Sequence, residues 1–339
     1  MTRVLVTGAT GFIGTPLCRE LLARGRAVAA LVREHSKVDR LRQLGVELVP
    51  GDVTDAESVR RAVAGCDAVF HVAGCLKALE AAAFDRVNRD GTRNVVSACA
   101  ELETPPRVVL VSSLAAVGPS PDGKPWVEHC PASPVSHYGR SKRAGEVAAA
   151  ALADRVPITV VRPGAVFGEG DRATLEMFRP VARWGVHMVP VRPKLGVSMI
   201  HLDDLIALIL LAAERGSTIR PESGDDAALD AGYYFASCDE YPMYDELGRM
   251  IAWALGRQRV VCVPAPRRVV RAAGVFQELL GRVLGRPMTF NLDKAREATA
   301  GCWFCSPHKA TAELGFAVAA PLLDRLRQTA EWYHKKGWV

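Results

Sequence analysis

The chain has 339 residues, 49% of them hydrophobic and 24% charged, with a formal net charge of +6. That is enough chain to bury a large core, and the scattered, mildly basic charge excludes a nucleic-acid footprint while suiting an anionic ligand. The longest clean apolar run, Leu205 to Ala213, is far too short to span a bilayer, which takes about 20 residues.

Val4-Leu-Val6 is a short run of strand type, followed by glycines at 8, 11 and 14 that open an apolar-periodic helix. Gly8 permits a tight turn, Gly11 lets the backbone approach a pyrophosphate, and Gly14 lets the helix pack on its strand. The helix N-terminus then offers N–H groups and a positive dipole end to phosphates. The spacing is GxxGxxG rather than GxGxxG, so the tight pattern of two-domain dehydrogenases is absent.

Up to about residue 163, short β-branched runs alternate with helical segments, the pattern of a parallel sheet covered on both faces. Strands are expected at 3–7, 26–32, 46–50, 67–71, 107–112 and 157–162, with helices at 12–24, 36–44, 55–64, 79–102 and 136–153. The fold class expected is α/β, a doubly wound parallel sheet of Rossmann type with a smaller mixed C-terminal lobe. Residues 1–165 would bind the dinucleotide and 166–339 the substrate, interleaved in one globular unit.

Arg33 ends strand two, where an acid would hold the ribose of NAD. An arginine there favours the 2′-phosphate of NADP, although Glu34 follows at once. Asp52 and Val53 follow strand three, placed for the adenine amino group and ring. Strand four runs into Val72, Ala73 and Gly74, small enough for the chain to pass close to a cofactor, while His71 reads as a satisfied core histidine. Strand five ends at Ser112 and Ser113. Tyr138 and Lys142 then stand at i and i+4, on one helix face. A free tyrosine is a poor base at neutral pH, and an ammonium one turn away stabilises its phenolate. A merely structural pair is the alternative.

Together Thr7–Gly14, Gly51-Asp-Val53, His71–Gly74, Val87–Asn94, Ser112-Ser113, Tyr138-xxx-Lys142 and Arg162-Pro-Gly164 resemble the extended short-chain dehydrogenases/reductases of the epimerase/dehydratase superfamily. The likeness covers about the first 205 residues by motif and the rest by layout. It implies an NAD(P)-dependent enzyme whose catalytic serine stands five residues before a strand-end glycine; Gly118 makes that Ser113. It also implies a catalytic-site role for Asn88, with N-capping or helix packing as the alternative. The implied cofactor contacts are Gly8, Thr10, Gly11, Phe12, Ile13, Gly14, Arg33, Asp52, Val53, Val72, Ala73, Gly74, Ser112, Tyr138, Lys142, Pro163 and Val166, with NADP favoured and NAD allowed. Members commonly dimerise through the fourth and fifth helices, for which the alanine-rich stretch 144–153 suits.

Ser112–Pro119, Arg162–Asp171 and Ser198–Asp204 are similar to the 3β-hydroxysteroid dehydrogenase and dihydroflavonol reductase branch. That likeness implies a secondary alcohol or ketone on an apolar ring substrate, with a 3β-hydroxysterol as the leading candidate. A carboxylate β to the new ketone would then be lost on oxidation. Nucleotide-sugar enzymes carry an asparagine shortly after the Arg162 position, and Pro163-Gly-Ala-Val-Phe167 has none. Arg172, Arg179, Arg183 and Arg192 keep a nucleotide-sugar epimerase or dehydratase open, with solvated surface arginines as the alternative. A non-catalytic NADP-sensing regulator is the third reading, and intact Ser113, Tyr138 and Lys142 count against it.

In the second lobe, helices are expected near 172–184, 203–214, 243–255, 266–284 and 322–335, and strands near 197–201, 232–237 and 258–263. Segment 266–287 mixes apolar residues with Arg267, Arg268, Arg271, Arg282 and Arg286, which suits either an anionic membrane surface or packing on its own lobe. Nine irregularly spaced cysteines and a first strand starting near the N-terminus point to free thiols and a cytoplasmic protein. Cys302, Cys305 and His308 lack further ligands for zinc, so no metal is expected.

Overall fold

The computed structural model describes residues 2–190, 195–221 and 230–339. Its centre is a seven-stranded parallel sheet. In chain order the first six strands are β1 (Arg3–Thr7), β2 (Ala27–Val32), β3 (Glu47–Pro50), β4 (Ala68–His71), β5 (Arg107–Val111) and β6 (Ile158–Pro163). The seventh, β10 (Tyr233–Ala236), comes from the second half of the chain, and the spatial order is β10-β6-β5-β4-β1-β2-β3. The order reverses between β1 and β4, the crevice where ligands of doubly wound sheets bind.

Alternation along each strand splits the core into two layers. Val4 and Val6 pack on one face with Leu17, Leu21 and Phe70, together with Leu205, Leu208 and Ile209 of α8 (Leu202–Arg215). Leu5, Val69, Val108 and Leu110 pack on the other against Val59, Val63, Val95 and Val96. Those last four belong to α3 (Ala56–Val63) and α5 (Gly91–Ala100). Before them in the chain stand α1 (Gly14–Ala23), α2 (Asp39–Leu44) and α4 (Ala81–Asp85).

The strands of the first half match expectation to within a residue. The helix expected over 79–102 does not run unbroken: between α4 and α5 the chain makes a π-helical stretch at Arg86–Asp90. Such an insertion rotates the side chains that follow and is frequent at functional sites.

Further elements follow β6 in the chain. They are β7 (Ala165–Phe167), α7 (Leu175–Trp184), β8 (Val186–Pro190), β9 (Met199–His201), α9 (Tyr244–Ala254), β11 (Val261–Ala265), α10 (Arg267–Val283), α11 (Leu292–Ala300), α12 (His308–Leu314) and α13 (Leu322–Lys335). β7, β8, α11 and α12 were not expected, and β11 starts later than the 258–263 read from sequence. β7 pairs with β9 and β8 with β11, each in a two-stranded parallel ribbon. Among the described residues no helix is long and apolar enough to cross a membrane.

Candidate active site

The glycine turn forms a cradle that only glycine leaves open. Gly8 has φ of +70°, and a Cβ there would lie 2.7 Å from the Ala73 nitrogen. A Cβ on Gly14 would lie 2.2 Å from the Gly8 carbonyl oxygen. Gly11 is roomier, its Cβ position lying 3.1 Å from the same oxygen. Helix α1 starts at Gly14 rather than at 12, so Phe12 and Ile13 belong to the turn, half-buried against the core, while Thr10 and Gly11 are exposed. In the first turn of α1 the Thr15 N–H donates to the Gly11 carbonyl at 3.2 Å, the Leu17 N–H donates to the Ile13 carbonyl at 3.1 Å, and Pro16 has no N–H. A glycine cradle with no side chain in the way, at a helix N-terminus beside the sheet's switch point, fits a dinucleotide pyrophosphate.

Beside this cradle His71 is fixed between two hydroxyls, with Thr7 Oγ1 at 2.7 Å from Nδ1 and Thr92 Oγ1 at 3.0 Å from Nε2. Thr92 donates its own proton to the Asn88 carbonyl, so its oxygen accepts from Nε2–H and Thr7 donates to Nδ1. Burial holds the imidazole down to about 3, and the Lys142 charge adds to the effect. His71 is a neutral structural bridge.

Arg33 is exposed directly after β2, and its charge reaches the Cys75 thiol across the strand ends. Asp52 uses one carboxylate oxygen to accept from the Thr54 N–H and hydroxyl, both at 2.9 Å. Val53 is buried beneath Gly91, where a Cβ would lie 2.8 Å from its Cγ2. Val72, Ala73 and Gly74 line the opening beyond β4. A Cβ at Gly74 would lie 3.8 Å from Lys142 Nζ. Pro163 ends β6 and Val166 is half-buried in β7.

The π-helical stretch aims Asn88 inward. Its Oδ1 accepts from Cys75 N–H at 2.8 Å, while its Nδ2 donates to the Cys75 carbonyl at 3.0 Å and to Ser141 Oγ at 2.9 Å. Asn88 thereby ties the segment after β4 to α6 (His137–Ala150), and Gly145 allows α6 to approach it, with a Cβ only 2.3 Å from the Asn88 oxygen.

Helix α6 carries Tyr138 and Lys142 on one face, and both are buried. Lys142 Nζ donates to the Val111 carbonyl at the end of β5, at 2.7 Å. Burial draws this ammonium down to about 8 from its ordinary 10.5, with Glu146 acting against the shift. Ser113 stands beside the Tyr138 hydroxyl, and its own side chain accepts from the Ala115 N–H at 3.1 Å. Burial raises the Tyr138 hydroxyl above its ordinary range, and the Lys294 ammonium and Ser113 pull the other way. Ser112 is buried beside Glu146 instead of facing the cleft.

Two features were missed from sequence. Arg162, itself fully buried, grips Glu146 with Nε–Oε1 at 2.9 Å and Nη2–Oε2 at 2.6 Å, locking β6 to α6. Burial alone would raise Glu146, but the Arg162 guanidinium outweighs it and holds the carboxyl below its usual range. The second is α11. Asp293 accepts the N–H of His137 at 2.8 Å and of Tyr138 at 3.0 Å, Glu297 accepts from the Ser136 hydroxyl at 2.6 Å, and Lys294 Nζ lies 4.9 Å from the Tyr138 ring centroid.

Of the four arginines considered for a diphosphate, Arg172 lies over Trp338 and Arg179 pairs with Glu176 at 3.1 Å. Arg183 is exposed on α7, and Arg192 lies outside the described residues.

A doubly wound sheet with a glycine cradle at its switch point and a Ser–Tyr–Lys set beside it defines a nucleotide-dependent oxidoreductase. The chain belongs to the NAD-dependent epimerase/dehydratase family, whose model matches residues 4–223. It is 34% identical over 341 residues to a ceramide reductase of Caulobacter vibrioides, a match covering 99% of this chain and 96% of that one. It is 35% identical over 225 residues to sterol demethylase protein B of Methylococcus capsulatus, covering 62% and 66%. The Thermus thermophilus UDP-glucose 4-epimerase, solved with NAD, superposes with a TM-score of 0.73 at 22% identity, covering 98% and 99%, a likeness of fold.

Proposed function

We propose that this enzyme interconverts a ketone and a secondary alcohol on a large apolar substrate, with NADP as the preferred cofactor and Ser113, Tyr138 and Lys142 as the reacting set. The observation that carries this reading is the placement of Tyr138: beside Ser113, one turn from Lys142, and packed in an apolar cluster with Phe84, Leu114, Trp126 and Trp303. Such walls favour a hydrocarbon skeleton over a sugar. Arg172 and Arg179, engaged with Trp338 and Glu176, support the same preference.

When bound, the nicotinamide supplies or accepts the hydride. Ser113 holds the substrate oxygen, and the Tyr138 hydroxyl exchanges a proton with it. Lys142, anchored on Val111, keeps a positive charge under that exchange. Arg33, exposed at the end of β2, suits a 2′-phosphate. Asn88 acts as a positioning residue, through Cys75 and Ser141. A homodimer through α5 and α6, which lie in the fourth and fifth helices read from sequence, would use Ala144, Val147 and Ala148, the half-exposed positions of α6.

The relatives named for ceramide and sterol chemistry set the first substrates to try. Purified protein would be mixed with NADPH or NADH and a long-chain keto-amide lipid, a 3-ketosteroid or a nucleotide-sugar, following absorbance of the reduced cofactor. Oxidation of NADPH with a lipid ketone supports the proposal. A sugar altered without net cofactor change would move the enzyme to the epimerases. Bound cofactor with no turnover of any substrate would favour a regulator.

A further inference from the structure

Helix α10 is built inside out. The face it turns to α11 is small: Val270, Gly274 and Gly281 are buried, and a Cβ on Gly274 would come within 2.8 Å of the Ala295 methyl. At 100° per residue the opposite face carries Phe276, Leu279 and Val283, which are 65%, 58% and 84% exposed. Val269 and Val275 widen the stripe, also exposed. A helix of a globular protein ordinarily presents its large apolar residues to its own core, so this stripe is placed for something outside the chain.

The charges beside the stripe say what. Arg271 and Arg282 lie along one border, Arg268 stands at the start of the stripe, and Arg286 follows the helix end. The single acid of the helix, Glu278, is paired with Arg282 at 3.1 Å. A second copy meeting it α10 to α10 would bring the same basic border, with the one acid of that helix already paired. An anionic lipid surface meets both features, taking the apolar stripe below the headgroups and the guanidiniums at phosphate level.

We infer that α10 docks this enzyme onto an anionic bilayer. The inner face of the same hairpin reaches the reacting tyrosine, because α10 packs on α11 and α11 holds the N–H of Tyr138 through Asp293. The docked surface and the site are therefore two sides of one helix pair. The inference does not depend on which ketone or alcohol the site accepts.

The test is co-sedimentation of the full chain with vesicles of phosphatidylcholine alone or with added phosphatidylglycerol, beside the double variant Phe276→Glu/Leu279→Glu. Melting temperature and NADPH binding confirm that the variant is folded, since both positions are exposed and outside the cofactor site. The expected result is binding to phosphatidylglycerol vesicles that weakens on the order of tenfold in the double variant and in Arg268→Glu/Arg271→Glu, with NADPH binding unchanged. Three results would overturn the inference: no binding to charged vesicles, binding equal in wild type and both variants, or a dimer that Phe276→Glu/Leu279→Glu turns into a monomer.

Discussion

Asp293 holds the backbone N–H of Tyr138 at 3.0 Å and of His137 at 2.8 Å, although it lies 155 residues beyond Tyr138 in sequence. The carboxylate sits on the N-terminus of α6, where free N–H groups and the helix dipole favour negative charge. The helix that carries Tyr138 is thus capped by a side chain 155 residues further along the chain.

Removing that carboxylate in Asp293→Ala should cost about 1–2 kcal/mol of stability, the usual loss for an N-terminal cap. Turnover should fall while NADPH affinity stays near wild type, because Asp293 bonds the start of α6 and Arg296 and not the glycine cradle. Thermal melts and a fluorescence titration of NADPH check the two halves, and an unchanged melt would remove the capping role.

His71 sets the direction of the acid response. Its folded value of about 3 lies below its ordinary 6.5, so the unfolded chain takes up a proton first as pH drops. Stability from this group is full above about pH 6.5 and is lost progressively as pH falls toward 3. His71→Gln should be less stable at pH 7, having lost the Thr7–Thr92 bridge, and should lose less further stability on acidification. Urea melts between pH 7 and 4 give both slopes.

The two inner glycines should separate fold from cofactor. A methyl on Gly14 meets the Gly8 oxygen at 2.2 Å, so Gly14→Ala should destabilise the whole turn. Gly11→Ala, with 3.1 Å to that oxygen, should fold and lose NADPH affinity on the order of tenfold, about 1.4 kcal/mol. Equal cofactor affinity in Gly11→Ala and wild type would mean that the pyrophosphate does not sit there.

Lys142 gives a basic limb to the activity profile. With burial bringing it to about 8, its charge is lost above that pH, so kcat/KM should decline there. The stability sign is opposite: the unfolded lysine keeps its proton up to about 10.5, so this group makes folding more favourable as pH rises between about 8 and 10.5. In Lys142→Arg the remaining activity should lose the decline near pH 8, since guanidinium stays charged.

The sequence made the sheet legible because β1 to β6 are short β-branched runs broken by Gly8, Gly51 and Gly74, each a local signal. It also placed Tyr138 and Lys142 on one face, since the i, i+4 relation needs nothing beyond the helix. The α11 clamp was not legible in that way. Leu292–Ala300 is a short, mostly polar segment, and its value lies in reaching a helix that is distant in sequence. Its one local cue is Asn291, whose side chain accepts from the Lys294 N–H at 3.0 Å as an N-cap. The π-helical stretch around Asn88 escaped because an inserted residue leaves hydrophobic periodicity almost unaltered over one turn. Exposure of the apolar face of α10 was undecidable from pattern alone, since an amphipathic helix does not say which face is covered.

The most direct measurement is the turnover of Tyr138→Phe beside wild type, with NADPH and the best lipid ketone from the substrate panel. The phenyl ring keeps the packing against Phe84 and the cation contact with Lys294 while removing the proton. Wild-type NADPH affinity with turnover reduced on the order of 10²–10⁴-fold is the predicted result. Full turnover in Tyr138→Phe would contradict proton exchange at this residue and, with it, the reaction proposed for the site.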